Sequence, residues 1–312
     1  MNKAIVIPVR SEAPVIGPGS QPVDDAELLA VPLPREVKAF RMPQVPERVG
    51  AAVMRESAAW LQRVLQAWDD TQAAAGHGPS VVIDTMSPAA LTVTNEVLGE
   101  GEVSIRIDAK AGQPALRMQE SVFAGLWRCA EVDAAGGLRR YWLEVGPVPR
   151  AVMHAADAQL SSTGQADADA SLLDPASWPA GTMNSPALLA ELRARVAAHR
   201  SGAHGGQINL SLLPLSPADR EVLAQALPVG PVAIISHGFG NCHVGSTAVP
   251  GVWRHQYFNS RNTLILDLVE VTHMPEVVTA SPEDLQDSRE RLAELIRWMG
   301  ESADAEDSLA TS

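Results

Sequence analysis

Cysteine is nearly absent: only Cys129 and Cys242 occur in 312 residues. Two thiols exclude a disulfide framework, a four-cysteine zinc site and an iron–sulfur cluster ligated by this chain alone. They fit a reducing compartment. Basic residues are also short, 24 against 37 acidic, for a formal charge of −13. That argues against a nucleic-acid binder, which needs a basic face, and against a polybasic membrane surface. No apolar run approaches the roughly 20 residues that span a bilayer. The apolar stretch after Lys3 is broken by Pro8 and has no cleavage pattern behind it, so no export signal or membrane insertion is expected and the chain reads as cytoplasmic. The metalloprotease, hydrolase-elbow, kinase and phosphate-loop signatures are missing too.

What remains is enough for a real core. Apolar residues make up 46% of the chain, and the length fits one large domain or two ordinary ones. Residues 1–48 carry prolines at 8, 14, 18, 22, 32, 34, 43 and 46, which interrupt helices and disfavour central strands. An extended or disordered arm is expected there, either plain or partner-binding.

An internal repeat organises the rest. Ser87-Pro88-Ala89 and Gly101 recur 129 residues later as Ser216-Pro217-Ala218 and Gly230. Gly125-Leu126-Trp127-Arg128 and Pro149 recur 126 residues later as Gly251-Val252-Trp253-Arg254 and Pro275. A single length change between Ile105 and Ser121 reconciles the two offsets. Ser87-Pro88 and Ser216-Pro217 are helix starts, with serine capping and proline at the first helical position. Asp219 completes a capping-box pattern. Short strands precede these helices at Val81–Ile83 and Ile208–Leu210. Apolar, β-branched runs follow at 102–107, 117–123, 126–132 and 140–145, and again at 231–236, 243–249, 252–258 and 263–271.

The expected class is α+β: two tandem copies of a helix-strand-helix unit followed by antiparallel strands, pseudo-two-fold, closed by a C-terminal helix. The expected boundaries are 49–155 for the first unit, 156–184 for a flexible linker and 185–280 for the second unit. A C-terminal helix over 281–302 and an acidic tail over 303–312 follow.

His237-Gly238-Phe239-Gly240-Asn241-Cys242-His243 is the most unusual local sequence. One reading is a glycine-rich turn with a small buried cysteine. The others are a ligand or partner contact, or a reactive or metal-binding thiol. Adjacent Cys242 and His243 on a strand point to opposite faces, so they cannot easily share one ion. No base pattern accompanies Cys242 as nucleophile. Trp127-Arg128 and Trp253-Arg254 recur at equal repeat positions. Core packing is the simpler reading of the tryptophans; exposed in a groove, Trp and Arg would anchor an interface. Tyr257 and Phe258 lie in a polar stretch beside a strand. No acid, base and nucleophile converge, so binding outranks catalysis, and no catalytic residue, metal or cofactor is assigned.

Leu213-Pro214-Leu215-Ser216-Pro217-Ala218-Asp219, Gly238-Phe239-Gly240-Asn241-Cys242, Gln256-Tyr257-Phe258-Asn259-Ser260 and Gln119-Glu120-Ser121-Val122-Phe123-Ala124-Gly125-Leu126-Trp127-Arg128 resemble the HupH/HyaF (HoxQ-like) family of [NiFe]-hydrogenase expression/formation proteins. The resemblance covers roughly residues 80–150 and 207–290. It departs around the Gly-x-Gly-Asn-Cys block, where this chain has His237, Phe239 and His243. The resemblance implies a non-enzymatic chaperone that holds the iron–sulfur small-subunit precursor of a hydrogenase before assembly and twin-arginine export. It also implies a thioredoxin-like hydrogenase accessory protein as partner. An iron–sulfur or metal carrier, or a thiol-dependent maturation enzyme using Cys242, is the alternative.

Overall fold

In the computed structural model, residues 49–73, 79–109, 113–160, 178–237 and 241–310 are described. The arm expected over 1–48, and residues 161–177 of the expected linker, lie outside them.

The serine–proline signals start helices where expected. Ser87 caps α2 (Pro88–Leu98) by accepting from Ala90 N. Ser216 and Asp219 form a reciprocal capping box on α5 (Pro217–Ala226). Ser185 is different: the cap of α4 (Ser185–Arg200) is Asn184, which makes no side-chain cap bond. Among the described residues the other α-helices are α1 (Ala51–Ala73), α3 (Arg150–Leu160) and α6 (Pro282–Ala310). Two of these differ from expectation. Helix α3 occupies the start of the expected linker, because Val152 and Ala156 bury one of its faces. Helix α6 continues to Ala310 through the expected tail; Ala303 is buried against α1, and Arg55 of α1 meets Asp304 at 2.9 Å.

Among the described residues ten strands form one antiparallel sheet, in the order β1-β5-β4-β3-β2-β7-β8-β9-β10-β6. They are β1 (Val81–Val82), β2 (Val103–Ile107), β3 (Ala115–Glu120), β4 (Leu126–Val132), β5 (Leu138–Val145), β6 (Gly206–Asn209), β7 (Val229–Ser236), β8 (Asn241–Thr247), β9 (Val252–Phe258) and β10 (Leu264–Val271). The chain is therefore of mixed α+β class with helices packed on an antiparallel sheet. Strands β1–β5 fill one half of the sheet and β6–β10 the other. They meet at β2 and β7, where Ile105 stands opposite Ile234.

Local bonds recur across the halves. Trp127 Nε1 donates to Gly146 O at 2.9 Å, and Trp253 Nε1 to Thr272 O at 3.2 Å. Gly125 and Gly251 both hold positive φ, at 79° and 72°, at the turns into β4 and β9. A side chain at Gly125 would also strike Leu285 of α6.

Side-chain alternation divides the sheet between three apolar clusters. On one face, Leu126, Leu143 and Val145 pack under α1, α2 and α6 at one end. At the other end of that face, Val252, Val269 and Val271 pack under α4 and α5. We call this the flanked face. The opposite, α3 face buries Val103, Ile105, Met118, Val232, Ile234 and Val244 with Val152 and Ala156 of α3 and Val278. This third cluster crosses the β2–β7 junction and joins the two halves of the sheet.

Candidate functional site

The sequence candidates separate by face. Trp127, Trp253 and Cys242 project into the α3-face core, at 0%, 1% and 0% exposure, with Tyr257 packed beside them. The tryptophans are therefore core residues and not interface anchors. Burial pushes the Cys242 thiol up to about 11, only partly offset by its hydrogen bond with Tyr257. Burial likewise raises Cys129, beside Glu144, well above the ordinary thiol range. A thiolate is the reactive and ligating form, so neither sulfur is poised for metal or thiol chemistry. Among the described residues no group of three His, Cys, Asp or Glu side chains converges to hold a metal ion.

Arg128, Arg254, Asn241, His243 and Phe258 share the other, flanked face, as strand pairing and alternation require. Gly238, Phe239 and Gly240 lie outside the described residues. His237 Nδ1 lies 3.1 Å from Asn241 Oδ1. The His243 ring is tilted against Phe258 at 4.4 Å between centroids. His243 is 5% exposed, and its Nδ1 has no hydrogen-bond partner among the described residues. Desolvation, with His237 adding repulsion, lowers it to about 4, so this imidazole is neutral at physiological pH.

Between the helical flanks the floor of this face is polar. One row of opposed residues crosses the first half as Arg128, Gln119 and Ser104. It continues across the second as Ile235, His243, Gln256 and Asp267. The next row runs through Arg117, Arg106, Ala233, Gly245 and Arg254. Arg106 and Arg117 belong to none of the sequence motifs above. Their signal was a basic residue at the outward position of apolar strands, in Val103-Ser104-Ile105-Arg106-Ile107 and Leu116-Arg117-Met118.

The two halves solve the charge of this floor differently. Arg254 forms a two-point ion pair with Asp267, Nε to Oδ1 at 2.9 Å and Nη2 to Oδ2 at 2.5 Å, and both side chains are nearly buried. Arg128, 126 residues earlier, reaches the neutral hydroxyl of Tyr141, which itself donates to Asn95 Oδ1 at 2.8 Å. Tyr141 stands where the second half has Asp267, on the strand beside the arginine.

Chemically, this is a broad, largely polar surface that carries one depressed imidazole. No described helix is long and apolar enough to cross a membrane. The profile of the HupH hydrogenase expression protein, C-terminal conserved region, matches this chain twice, at residues 54–170 and 182–299. The chain is 37% identical over 286 residues to the hydrogenase expression/formation protein HoxQ of Cupriavidus necator, covering 92% of this chain and 96% of that one. It is 39% identical over 287 residues to the hydrogenase expression/formation protein HupH of Rhodobacter capsulatus, covering 90% and 94%. To the hydrogenase-1 operon protein HyaF of Escherichia coli it is 32% identical over 289 residues, covering 93% and 97%. Both profile matches and this kinship along nearly the whole chain lead to one assignment: the chain belongs to the HupH/HyaF family of hydrogenase expression proteins.

Proposed function

We propose that this chain is a hydrogenase maturation factor acting by binding rather than catalysis. Its partner in this reading is the iron–sulfur small-subunit precursor of a [NiFe]-hydrogenase, held in the cytoplasm before assembly and twin-arginine export, with a thioredoxin-like accessory protein assisting. The observation that carries the reading is the extended kinship to hydrogenase expression/formation proteins, over 92% of the chain for HoxQ. The buried thiols support it against a metal carrier or thiol enzyme built on Cys242, since both roles need an accessible sulfur.

In the same reading the chain is one unit used twice, related by a pseudo-two-fold axis at Ile105 and Ile234. The register of β2 on β7 suits such an axis, because Val103 pairs with Ser236 and Ile107 with Val232. The binding surface in this reading is the flanked face, including His237, Asn241, His243, Phe258, Arg128 and Arg254.

A pull-down from hydrogenase-expressing cells tests the reading. Tagged protein is expected to co-purify the small-subunit precursor. Failure to recover it, with and without the signal peptide, would count the proposal out.

A further inference from the structure

We propose that the first half of the flanked face is a receptor for an acidic peptide segment of a protein partner, gripped by Arg106, Arg117 and Arg128. The inference deepens the binding reading above and rests on it for there being a protein partner at all.

The three arginines come from three neighbouring strands, β2, β3 and β4, and project on one face. Arg106 and Arg117 stand directly opposite each other, an arrangement of like charge that destabilises a strand pair unless an anion answers it. Partial desolvation and the nearby Arg106 charge lower the Arg117 guanidinium, although its side chain is exposed, with Asp108 opposing them weakly. Asp108 is already engaged by Arg106 Nε at 3.1 Å. Arg117 forms no ion pair among the described residues, and its Nη1 donates to Leu116 O at 3.0 Å. Arg128 reaches Tyr141, but its buried Nε has no hydrogen-bond partner among the described residues.

The second half shows what such an arginine takes when a carboxylate is at hand. Arg254 has Asp267 in two-point contact, whereas the corresponding position beside Arg128 is the hydroxyl of Tyr141. A carboxylate supplied from outside would complete on Arg128 and Arg117 the pairing that the chain itself supplies on Arg254. The rows of paired residues fix the spacing of these groups, so an extended chain with acidic side chains on one side fits better than a single small anion. The overall charge of −13 does not oppose this at contact range. Distant acidic groups are screened beyond about 8 Å at physiological salt, while the arginines touch the ligand.

The test is fluorescence anisotropy of the purified full chain with a labelled octapeptide of alternating glutamate and glycine. The control peptide carries glutamine for glutamate. The acidic peptide is expected to bind and to weaken as salt rises. The glutamine peptide is expected not to bind. Arg117→Gln and Arg128→Gln are each expected to weaken binding by about tenfold, the scale of one charge-assisted hydrogen bond. Arg193→Gln on the exposed side of α4 should leave it unchanged. Circular dichroism confirms that each variant is folded, and the exposed Arg117 substitution keeps the test valid if the Arg128 variant unfolds.

Equal binding of both peptides, or equal binding by wild type and Arg117→Gln, would overturn the proposal. So would tighter binding of a single-stranded RNA of matching charge, or full competition by inorganic phosphate at the peptide's concentration. Peptide binding without precursor recovery would remove the hydrogenase reading and leave the acidic receptor standing. Precursor recovery untouched by the arginine variants and the peptide would do the reverse.

Discussion

Glu120 sits at the end of β3 with only 8% of its surface exposed, accepting from Gly125 N at 3.1 Å. Burial raises it to about 7, with Glu102 and Asp284 adding repulsion. A carboxyl raised in the folded state binds its proton more tightly folded than unfolded. Its favourable contribution is therefore complete below the unfolded value near 4.5 and lost as pH rises through about 7. Glu120→Gln keeps a carbonyl oxygen for Gly125 and removes the charge. Urea unfolding should show it stabilising the protein by on the order of 2 kcal/mol at pH 8, with little gain at pH 5. An equal effect at both pH values would contradict the assignment of the shift to this residue. Nothing in Gln119-Glu120-Ser121 marks the middle residue as buried, because its environment comes from the turn at Gly125 and from α6, both remote in pattern. Cys242 teaches the same lesson in reverse. Its glycine-rich context leaves a buried cysteine and a reactive one both open, and the α3-face core buries it completely.

Helix starts were the most legible elements, since a cap is a contact between residues three apart. Ser87 and Ser216 could be read directly, and strands β4 and β9 matched the residues expected of them. Helix α3 was not legible, because its Ala-rich face gains meaning only under β7. Asp219 does more than complete the capping box of α5. Its Oδ1 accepts from Met183 N at 2.8 Å, Asn184 N at 2.9 Å and Ser185 N at 2.9 Å, while Oδ2 accepts from Ser216 N at 3.0 Å. One carboxylate thus ties the start of α4 to the start of α5. Desolvation, the largest single influence, would raise it, but these bonds together outweigh desolvation and hold it well below the usual carboxylate range. A depressed carboxyl contributes stability above its unfolded value near 3.8 that is lost as pH falls through the folded one. Asp219→Asn places an amide donor against backbone donors. It should cost about 3 kcal/mol at pH 7 by urea titration and less in strong acid; a neutral result would mean that the hub does not stabilise the fold.

At the scale of the molecule the sheet does not stop between the halves. Five residue pairs join β2 to β7, and the cluster beneath them draws Cys129 and Trp127 from one half and Cys242 and Trp253 from the other. Ile234 is fully buried at this crossing. Ile234→Ala is expected to cost about 2–4 kcal/mol through the cavity left. Tryptophan fluorescence and far-UV circular dichroism should still report one coincident transition, because the shared core couples the halves. Two separated transitions would show independent domains. The class, most strand positions, the caps at Ser87 and Ser216 and the family are legible in the sequence, because these rest on periodicities and local contacts carried by neighbouring residues. Only the tertiary structure decided which face each candidate occupies. Joining the halves through β2 and β7 put Cys242 and the tryptophans beneath α3, and it lined up Arg106, Arg117 and Arg128 across three strands. The two cysteines whose scarcity excludes so much end as core packing, since a thiol surrounded by apolar side chains pays too high a desolvation cost to ionise.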